Sequence, residues 1–414
     1  MAGFGFPPGG TATCDGVDLA AVADAEGTPL YVYSEPLIIE RYRELEAAFG
    51  DYPHRIHYAL KANSTLGIVR LLHEAGSAFD ANSAGEIAVA LRAGAAPSEI
   101  VFTGVGKTAT ELDDAVRLGI GAINAESAGE LDRIDRMARA RGRRARVALR
   151  VNPNVRADTH PGIATGRRSH KFGVPIDQAR ALCLEAAARD GLDLVGVHAH
   201  VGSQITNVET LGRSAALVAE LARTLLGGGV DLEHIDLGGG LGIAYDGAAA
   251  PTAAGYARVL LDVVAPTGLT LLLEPGRWIV GPAGILVATV VDIKPQRNGR
   301  HFVVLDAGMT EFLRPALYDA EHCLEYLTPL ATPAVTCDFV GPICETTDVI
   351  AMARSMPLPE VGDRVVVRDT GAYGSAMASN YNRRPQPAEA LVGGGKWRMI
   401  RRRQTIDDQV ACEC

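Results

Sequence analysis

The alternation of short β-branched runs with longer helical stretches constrains this chain more than any other feature of its sequence. Eight runs typical of β-strands lie between residues 55 and 274, each separated from the next by a stretch rich in Ala, Leu, Arg and Glu. The strand candidates are Arg55–Lys61, Ser77–Asp80, Ile100–Thr103, Ala122–Asn124, Arg146–Val151, Leu194–His200, His234–Leu237 and Thr270–Glu274. Eight such units in succession predict an α/β fold, a TIM (β/α)8 barrel, rather than a doubly wound open sheet.

Polar residues gather where these strands end, which is the face of a barrel that carries active sites. They are Lys61, Asp80, Thr103, Asn124, Arg150, His200, Gly238 and Glu274. Stability alone does not require so many polar groups at one end of a barrel, so the pattern predicts an enzyme.

The pattern changes after residue 280, where Pro and Gly punctuate strand-like runs. These runs are Gly284–Ile293, His301–Asp306 and Arg364–Arg368, with one helix expected near Ser375–Ala378. We expect a barrel over 36–280, and a β-sandwich or β-barrel-like domain in which 1–35 completes 281–414. The stretch Lys396–Cys414, with its three consecutive arginines, is interpreted as a solvated charge cluster that ends in a frayed tail.

Composition excludes several classes of function. The 414 residues are 47% hydrophobic and 21% charged, with a net charge of −9, which offers no basic surface to nucleic acid or to an anionic membrane. No apolar run reaches the ~20 residues that span a bilayer, and Met1–Gly10 lacks signal-peptide features, so we expect a cytoplasmic protein. The seven cysteines form no CxxC pair, which argues against a disulfide framework and a zinc site; no metal is expected.

Two of the strand-end features suit either a cofactor site or an ordinary structural role. Burial lowers the pKa of a lysine, which suits Lys61 to nucleophilic attack or to a Schiff base, although a strand-end lysine also commonly reaches solvent. Gly238, Gly239 and Gly240 follow the seventh strand, where barrels often bind phosphate, although a glycine run can also be a flexible turn.

The remaining strand-end groups complete this set. Glu274 can hold a protonated ring nitrogen and Arg277 a carboxylate or phosphate, or the two can form a surface ion pair. His198 and His200 point to one face of their strand, and one of them can stack on a flat cofactor, whereas a lone buried His is usually a core residue. Lysine, glycine loop, histidine and carboxylate together predict a pyridoxal phosphate (PLP) site.

The motifs that carry these residues resemble those of the barrel-type PLP-dependent decarboxylases, and most closely those that act on diaminopimelate. The matching stretches are 57–63, 198–204, 238–240, 274–277, 306–309, 314–318, 344–348 and 371–374, and the resemblance extends from about residue 15 to 405. One departure is Thr346, where serine is more usual; it keeps the hydroxyl.

The resemblance implies a role for each matching residue. Lys61 binds PLP covalently, His200 stacks on its ring, and Glu274 holds the ring nitrogen. Cys344, from the second subunit, protonates the substrate carbon that loses CO2, which implies a homodimer with shared active sites. The other cofactor-binding residues are Ser203, Gly238, Gly239, Gly240, Gly276, Arg277 and Tyr373. The substrate-binding residues are Arg277, Arg314, Tyr318, Glu345 and Tyr373.

The resemblance further implies decarboxylation of meso-2,6-diaminopimelate to L-lysine and CO2, the last step of lysine biosynthesis. Arg314 and Glu345 offer a partner for each charge at the far end of that substrate, and 160–166 with 171–173 also resembles these enzymes. Alternatives are a decarboxylase of ornithine, arginine, carboxynorspermidine or a carrier-bound glutamyl group. An alanine racemase would place arginine at the ring nitrogen instead of Glu274, and a non-enzymatic PLP carrier would lack the second domain.

Overall fold

The computed structural model describes residues 3–155, 171–245, 250–297 and 299–414. The chain forms two compact units. The barrel unit consists of Tyr42–Ile243 and Ala249–Trp278. The β unit consists of Met1–Arg41, Ala244–Ala248 and Ile279–Cys414, so the chain enters it three times.

The chain begins with short elements of the β unit. These are β1 (Phe4–Gly5), β2 (Thr13–Cys14), β3 (Val17–Asp18), α1 (Leu19–Glu26) and β4 (Leu30–Ser34), followed by α2 (Glu35–Ala48). Strands β1, β2 and β3 pair antiparallel. The Asp18 carboxylate accepts a hydrogen bond from the backbone of Ala20 at 2.8 Å, which caps the start of α1. This cap fixes the start of α1 directly after β3.

Eight parallel strands of the barrel unit pair in sequence, and the last pairs with the first, so the sheet closes. They are β5 (His54–Ala59), β6 (Ala78–Ala81), β7 (Ile100–Phe102), β8 (Ala122–Ala125), β9 (Ala145–Asn152), β11 (Leu192–His198), β12 (His234–Asp236) and β13 (Thr270–Leu273). A two-residue strand, β10 (Val174–Pro175), adds to β9. The closure is the pairing of Leu271 in β13 with His54 in β5. The predicted barrel is confirmed.

The helices of the barrel unit lie between these strands, where the sequence predicts them. They are α3 (Leu66–Glu74), α4 (Ala84–Ala93), α5 (Ala109–Leu118), α6 (Ala128–Ala140), α7 (Ile176–Ala187), α8 (Val208–Gly227) and α9 (Ala253–Val264). Ser83 and Ser127 cap α4 and α6 by accepting from the backbone three residues on, each at 3.2 Å. Strand and helix apolar faces pack together, so β6 is buried throughout, including its acid Asp80.

The C-terminal elements belong to the β unit, apart from the start of the first one. They are α10 (Arg277–Val280), β14 (Gly284–Pro295), β15 (His301–Leu305), α11 (Arg314–Tyr318), β16 (Leu324–Tyr326), β17 (Ala334–Val340), β18 (Val349–Pro357), β19 (Arg364–Val367), β20 (Ala388–Gly393), β21 (Lys396–Arg401) and α12 (Ile406–Val410). The sheet order is β18-β17-β15-β14-β4-β20-β21, with β19 on β14 and β16 on β19. Strand β4 pairs with both β14 and β20, so the N-terminal segment completes this sheet.

The β unit differs from the sequence expectations in the following details. The helix expected near Ser375–Ala378 is a single 3-10 turn, Ser375–Met377, and α11 and α12 lie elsewhere. Five strands of the β unit, β16 to β18, β20 and β21, were not predicted. The C-terminal stretch contains β21 and α12, and Arg402 pairs with Asp408, so regular structure extends to Val410, before the end that the sequence predicts to be frayed. No helix in the described part of the chain has the length and apolar composition needed to cross a membrane.

Candidate active site

Lys61 lies just beyond the first barrel strand. Strand β5 ends at Ala59, and Lys61 sits in a 3-10 turn, Leu60–Ala62, rather than at the strand end as predicted. Its Nζ donates a hydrogen bond to Asp80 Oδ2 at 2.6 Å. Burial and the charge of Glu274 raise the pKa of Asp80, and the Lys61 ammonium opposes that rise. Asp80 is fully buried whereas the Lys61 side chain is 30% exposed, so the amine is both anchored and accessible.

Glu274 follows β13 and is buried at the same end of the barrel. Thr103 Oγ1 and Asn124 Nδ2 approach its Oε1 at 3.2 and 3.4 Å, and His198 Nε2 lies 3.4 Å from its Oε2. Burial alone would raise the pKa of Glu274, but the neighbouring His198 and Lys61 outweigh burial and hold the pKa below its usual value. Glu274 is therefore an ionised carboxylate inside the barrel.

Asp236, the last residue of β12, is a second buried acid beside Glu274. Its Oδ1 accepts from the backbone N–H of Gly238 at 2.8 Å. Burial, and then the charge of Glu274, raise the pKa of Asp236 well above its usual value. The ligand-type atoms of His198, Asp236 and Glu274 all lie within 4.8 Å of one another. Glu274 thus disfavours the charged form of Asp236, the acid beside it.

His200 is oriented by the glycine run. Strand β11 ends at His198, two residues earlier than predicted, and His200 lies beyond it. Its Nδ1 accepts a hydrogen bond from the backbone N–H of Gly239 at 3.2 Å. Burial, followed by the charges of Lys61 and Arg150, lowers the pKa of His200 well below its usual value. The ring is thus neutral and fixed in orientation.

The glycine run after β12 has no room for side chains. A Cβ at Gly239 would lie 2.2 Å from the carbonyl oxygen of Glu274, and one at Gly238 would lie 2.8 Å from that of Ala199. Gly238 and Gly240 also have φ angles of +65° and +111°, which L side chains rarely adopt. Gly238 and Gly239 are buried, and their N–H groups donate to Asp236 and His200. The loop therefore packs tightly against the neighbouring strand ends, and its role as a phosphate loop stays a prediction.

The other predicted barrel residues join the same group. Arg277 Nη2 donates to Ser203 Oγ at 3.0 Å, which links the loops after β13 and β11. A Cβ at Gly276 would lie 2.7 Å from Cβ of Ala62, so Gly276 lies against the turn that holds Lys61. The structure thus brings the predicted residues of the barrel unit together at the carboxyl ends of its strands.

Sequence reasoning missed a buried charge network beside this group. Lys107 Nζ donates to Glu130 Oε1 at 2.8 Å, and Arg150 Nη1 donates to Glu126 Oε1 at 2.5 Å. The second Glu126 oxygen accepts from the backbone of Gly173 at 2.7 Å. Glu126 directly follows β8, and a polar residue at a strand end is the feature of the sequence that could have identified it.

The sequence of 160–166 and 171–173 resembles that of the diaminopimelate enzymes. Residues 160–166 lie outside the described part of the chain, and residues 171–173 lie within it.

Cys344 and Glu345 lie in the β unit, on an exposed loop between β17 and β18. Asn382 Nδ2 lies 3.5 Å from Cys344 Sγ. The base of the loop is held by Asp348, which is buried and accepts from the backbones of Met309 and Ile343, each at 2.6 Å. The loop thus has a fixed base and an exposed tip that carries the two predicted residues.

The other predicted residues of the β unit are more buried. Arg314 and Tyr318 belong to α11, where Arg314 is buried and Tyr318 is half-buried. Tyr373 is half-buried, with a φ angle of +57°. These residues lie on segments of the β unit that are separate in sequence, in contrast to the compact set in the barrel unit.

The residues at the barrel mouth fit PLP. They supply an accessible amine at Lys61, a neutral imidazole at His200, an ionised buried carboxylate at Glu274, and a glycine loop whose backbone lies directly against His200 and Glu274. The buried carboxylate cluster could also suit a cation, but the lysine and glycine loop beside it have no role in such a site. The donor set matches the cofactor that the sequence predicts.

The chain belongs to the pyridoxal-dependent decarboxylases, since residues 36–281 match the family model described as the pyridoxal binding domain of those enzymes. Its relatives narrow the family to diaminopimelate decarboxylases. The Neisseria meningitidis enzyme of that name is 41% identical over 403 residues, covering 97% of this chain and 99% of the relative. The Pseudomonas aeruginosa enzyme of that name is 42% identical, covering 96% of each. The Helicobacter pylori diaminopimelate decarboxylase, solved in complex with L-lysine, superposes with a TM-score of 0.92 at 40% identity, covering 95% and 98% of the two chains.

Proposed function

We propose that this protein is a carboxy-lyase that converts meso-2,6-diaminopimelate to L-lysine and CO2 with PLP held in its barrel, residues 36–280, and with the remaining residues forming a β domain. The observation that carries the proposal is the ionised Glu274, buried beside Lys61 and the glycine loop. A family relationship at about 40% identity over nearly the whole chain supports the choice of substrate.

PLP, when bound, supplies a conjugated ring that accepts the electron pair left behind as CO2 departs. Lys61 holds the cofactor, and Asp80 positions its amine through the 2.6 Å ion pair. Glu274 would hold the protonated ring nitrogen, because the neighbouring His198 and Lys61 keep its carboxylate ionised. His200 packs against the ring as a neutral imidazole and adds no competing charge.

Ser203, Gly238, Gly239, Gly240, Gly276 and Arg277 bind the phosphate in this proposal, and Tyr373 contacts the cofactor from the β domain. The Arg277 contact to Ser203 supports a role for both in one anion site. The backbone of the glycine loop approaches an anion closely because it carries no side chains.

Cys344 donates the proton that replaces CO2 on the substrate carbon, and it does so in the active site of the second subunit of a homodimer. Its exposed position on a firmly anchored loop supports this assignment. Mixing Lys61→Ala with Cys344→Ala subunits should restore activity up to about one quarter of the wild-type value, since one of the four possible site combinations is intact. Confirmed subunit exchange without recovery would refute shared sites.

Arg314 and Glu345, with Arg277, Tyr318 and Tyr373, bind the substrate in this proposal. Diaminopimelate ends in an amino group and a carboxylate at both ends, so a distal arginine and glutamate match its far end. Ornithine or lysine would place an ammonium against that arginine, which is a like-charge contact. Glu274 in place of an arginine argues against a racemase, and the β unit argues against a simple PLP carrier.

A substrate panel tests the proposal directly. Purified holoenzyme should release CO2 fastest from meso-diaminopimelate when ornithine, lysine, arginine and carboxynorspermidine are offered at equal concentration. Borohydride should fix PLP to Lys61, as seen by mass spectrometry of the labelled peptide. Faster turnover of another amino acid would overturn the substrate, and a colourless protein that takes up no PLP would overturn the whole proposal. The cytoplasmic location stays a prediction for cell fractionation to test.

A further inference from the structure

Two neighbours within the β unit hold the side chain of Arg314. Its Nη1 lies 2.7 Å from Nε2 of His322, and its guanidinium carbon lies 4.6 Å from the centre of the Tyr245 ring. Arg314 is 4% exposed and His322 is 3% exposed, so both contacts are shielded from water. The guanidinium thus has a hydrogen-bond acceptor and an aromatic ring beside it, which together restrict its orientation.

The hydrogen bonds of His322 determine which tautomer it adopts. Its Nδ1 lies 2.7 Å from the backbone carbonyl oxygen of Arg368, which can only accept, so Nδ1 carries the hydrogen. Arg314 can only donate, so the opposite nitrogen must present a lone pair. His322 is therefore a neutral imidazole with its acceptor aimed at Arg314.

Two aromatic rings prevent the His322 ring from turning. The Tyr245 ring centre lies 4.5 Å away with the planes tilted by 58°, and the Phe312 ring lies 4.7 Å away, edge-on. Tyr245 is itself tied to the segment that follows His322, since Cys323 Sγ donates to its carbonyl oxygen at 3.2 Å. The imidazole cannot flip without breaking both of its hydrogen bonds and this packing.

We infer that His322 is a positioning residue for substrate recognition, which locks Arg314 in the orientation that receives the distal carboxylate of the substrate. The inference rests on the proposed function, in which Arg314 contacts that carboxylate. A guanidinium recognises a carboxylate best through two parallel N–H bonds, so a rotation of the fork costs affinity even when the charge is kept. His322 supplies the directional acceptor that prevents the rotation, and so it acts through Arg314.

Substitutions of His322 separate this role from a purely structural one. His322→Phe keeps a ring between Tyr245 and Phe312 but removes the acceptor. It should raise KM for meso-diaminopimelate about ten- to hundredfold, while kcat changes by less than about threefold. The inhibition constant of L-lysine should rise by the same factor, because L-lysine keeps the distal amino-acid end of the substrate. The absorbance of bound PLP should not change.

Two amide variants keep the test decisive if His322→Phe fails to fold. The amide oxygen that His322→Gln introduces reaches the position of Nε2, so KM should stay within about threefold of the wild-type value, whereas the shorter His322→Asn should behave like the phenylalanine variant. His301→Gln, a histidine change in β15 of the same unit, should leave KM unchanged.

The outcomes separate the two claims. Wild-type protein that does not decarboxylate meso-diaminopimelate overturns the proposed function, and the positioning role with it. Active wild-type protein with an unchanged KM in His322→Phe, or with equal KM values in the glutamine and asparagine variants, overturns the positioning role alone. A fall in kcat without a rise in KM also overturns it.

Discussion

The candidate residues of the barrel unit hold one another in place, whereas Cys344 and Glu345 in the β unit project from an exposed loop. Glu274 has Thr103, Asn124 and His198 within hydrogen-bonding distance and is almost fully buried. Cys344 is exposed, and its contact to Asn382 is weak, at 3.5 Å. Folding therefore fixes the barrel residues around Glu274 in place, whereas Cys344 and Glu345 remain available for contact with another molecule.

The difference has a physical cause. Parallel strands that close a barrel end at one rim, so the residues that follow them converge without further adjustment. Buried charges at that rim are tolerated only when each has partners, which forces a dense network. A loop tip carries no such requirement, because water satisfies its polar groups. The candidate residues of the barrel are therefore preorganised. The position of Cys344 and Glu345 depends on Asp348, which holds the base of their loop.

Removing the central group of the preorganised set should have the largest effect. Lys61→Ala should lower kcat by roughly ten-thousandfold, because the amine that attaches the cofactor is lost. The thermal unfolding temperature should fall as well, because the buried Asp80 loses the ammonium that pairs with it. Lys396→Ala, which alters an exposed lysine of β21, is the matched control and should keep wild-type activity. A Lys61→Ala enzyme with substantial turnover would contradict the assignment.

Changing the exposed Cys344 should lower the rate of turnover without changing the affinity for PLP. Cys344→Ser should lower kcat by about a hundred- to a thousandfold, because a serine hydroxyl is a far weaker proton donor than a thiol. PLP affinity, measured from the visible absorbance, should be unchanged. Cys412→Ser alters another exposed cysteine and serves as the control. Loss of PLP from the Cys344→Ser protein would contradict the assignment of cofactor binding to the barrel residues and of proton donation to Cys344.

The two buried acids of the barrel should respond in opposite ways to neutralisation. Glu274→Gln should lower kcat by about a hundredfold, because Glu274 is ionised and its charge is lost. Asp236→Asn should keep kcat within about fivefold, because burial and the charge of Glu274 raise the pKa of Asp236 and disfavour its charged form, and an amide keeps the acceptor for Gly238. Equal losses in the two variants would mean that the negative charge is shared.

The barrel should lose stability in mild acid. Burial lowers the pKa of His57 to about 4, so between pH 6.5 and pH 4 this histidine is protonated in the unfolded chain and neutral in the folded chain. This contribution is fully present above pH 6.5 and is lost as pH falls, by about 2 kcal/mol between pH 7 and pH 5. His234, whose pKa burial lowers to about 3, acts in the same direction.

The two tryptophans allow each unit to be followed separately, since Trp278 lies in the barrel unit and Trp397 in the β unit. With Trp397→Phe, fluorescence reports the barrel, and His57→Gln should move its acid-unfolding midpoint to lower pH. With Trp278→Phe, the signal reports the β unit. A midpoint that His57→Gln leaves unchanged would show that other groups control the acid response of the barrel.

The barrel was predictable because its signals are local. Each strand is a short apolar run covered on both faces, and a polar residue marks its end, so most of the predicted strand ends fall within about two residues of those observed. The β unit lacks that regularity. Strand β17 pairs with β18 through two register shifts, and β18 exposes Met352, so neither shows a clean alternation of apolar and polar residues.

The residues of the candidate site also fall into two groups, those that local sequence patterns identify and those that only the fold identifies. Residues at strand ends or in glycine runs, such as Glu274 and Gly239, were accessible to sequence reasoning. His322 was not, because its role depends on Arg368, 46 residues later in the chain, and on the ring of Tyr245. Lys107 was missed for a similar reason, since only the fold shows that it is buried against Glu130.

The position of β4 in the β unit has a consequence for how the chain is made. All five residues of β4 are buried between β14 and β20, and Leu30 pairs with Val287 on one side and with Ala388 on the other. At ordinary rates of translation, roughly 20 to 70 s separate the synthesis of Leu30 from that of Ala388. The whole barrel leaves the ribosome in that interval. The first long strand to be synthesised is therefore among the last to be fully paired, and both of its edges need protection until then.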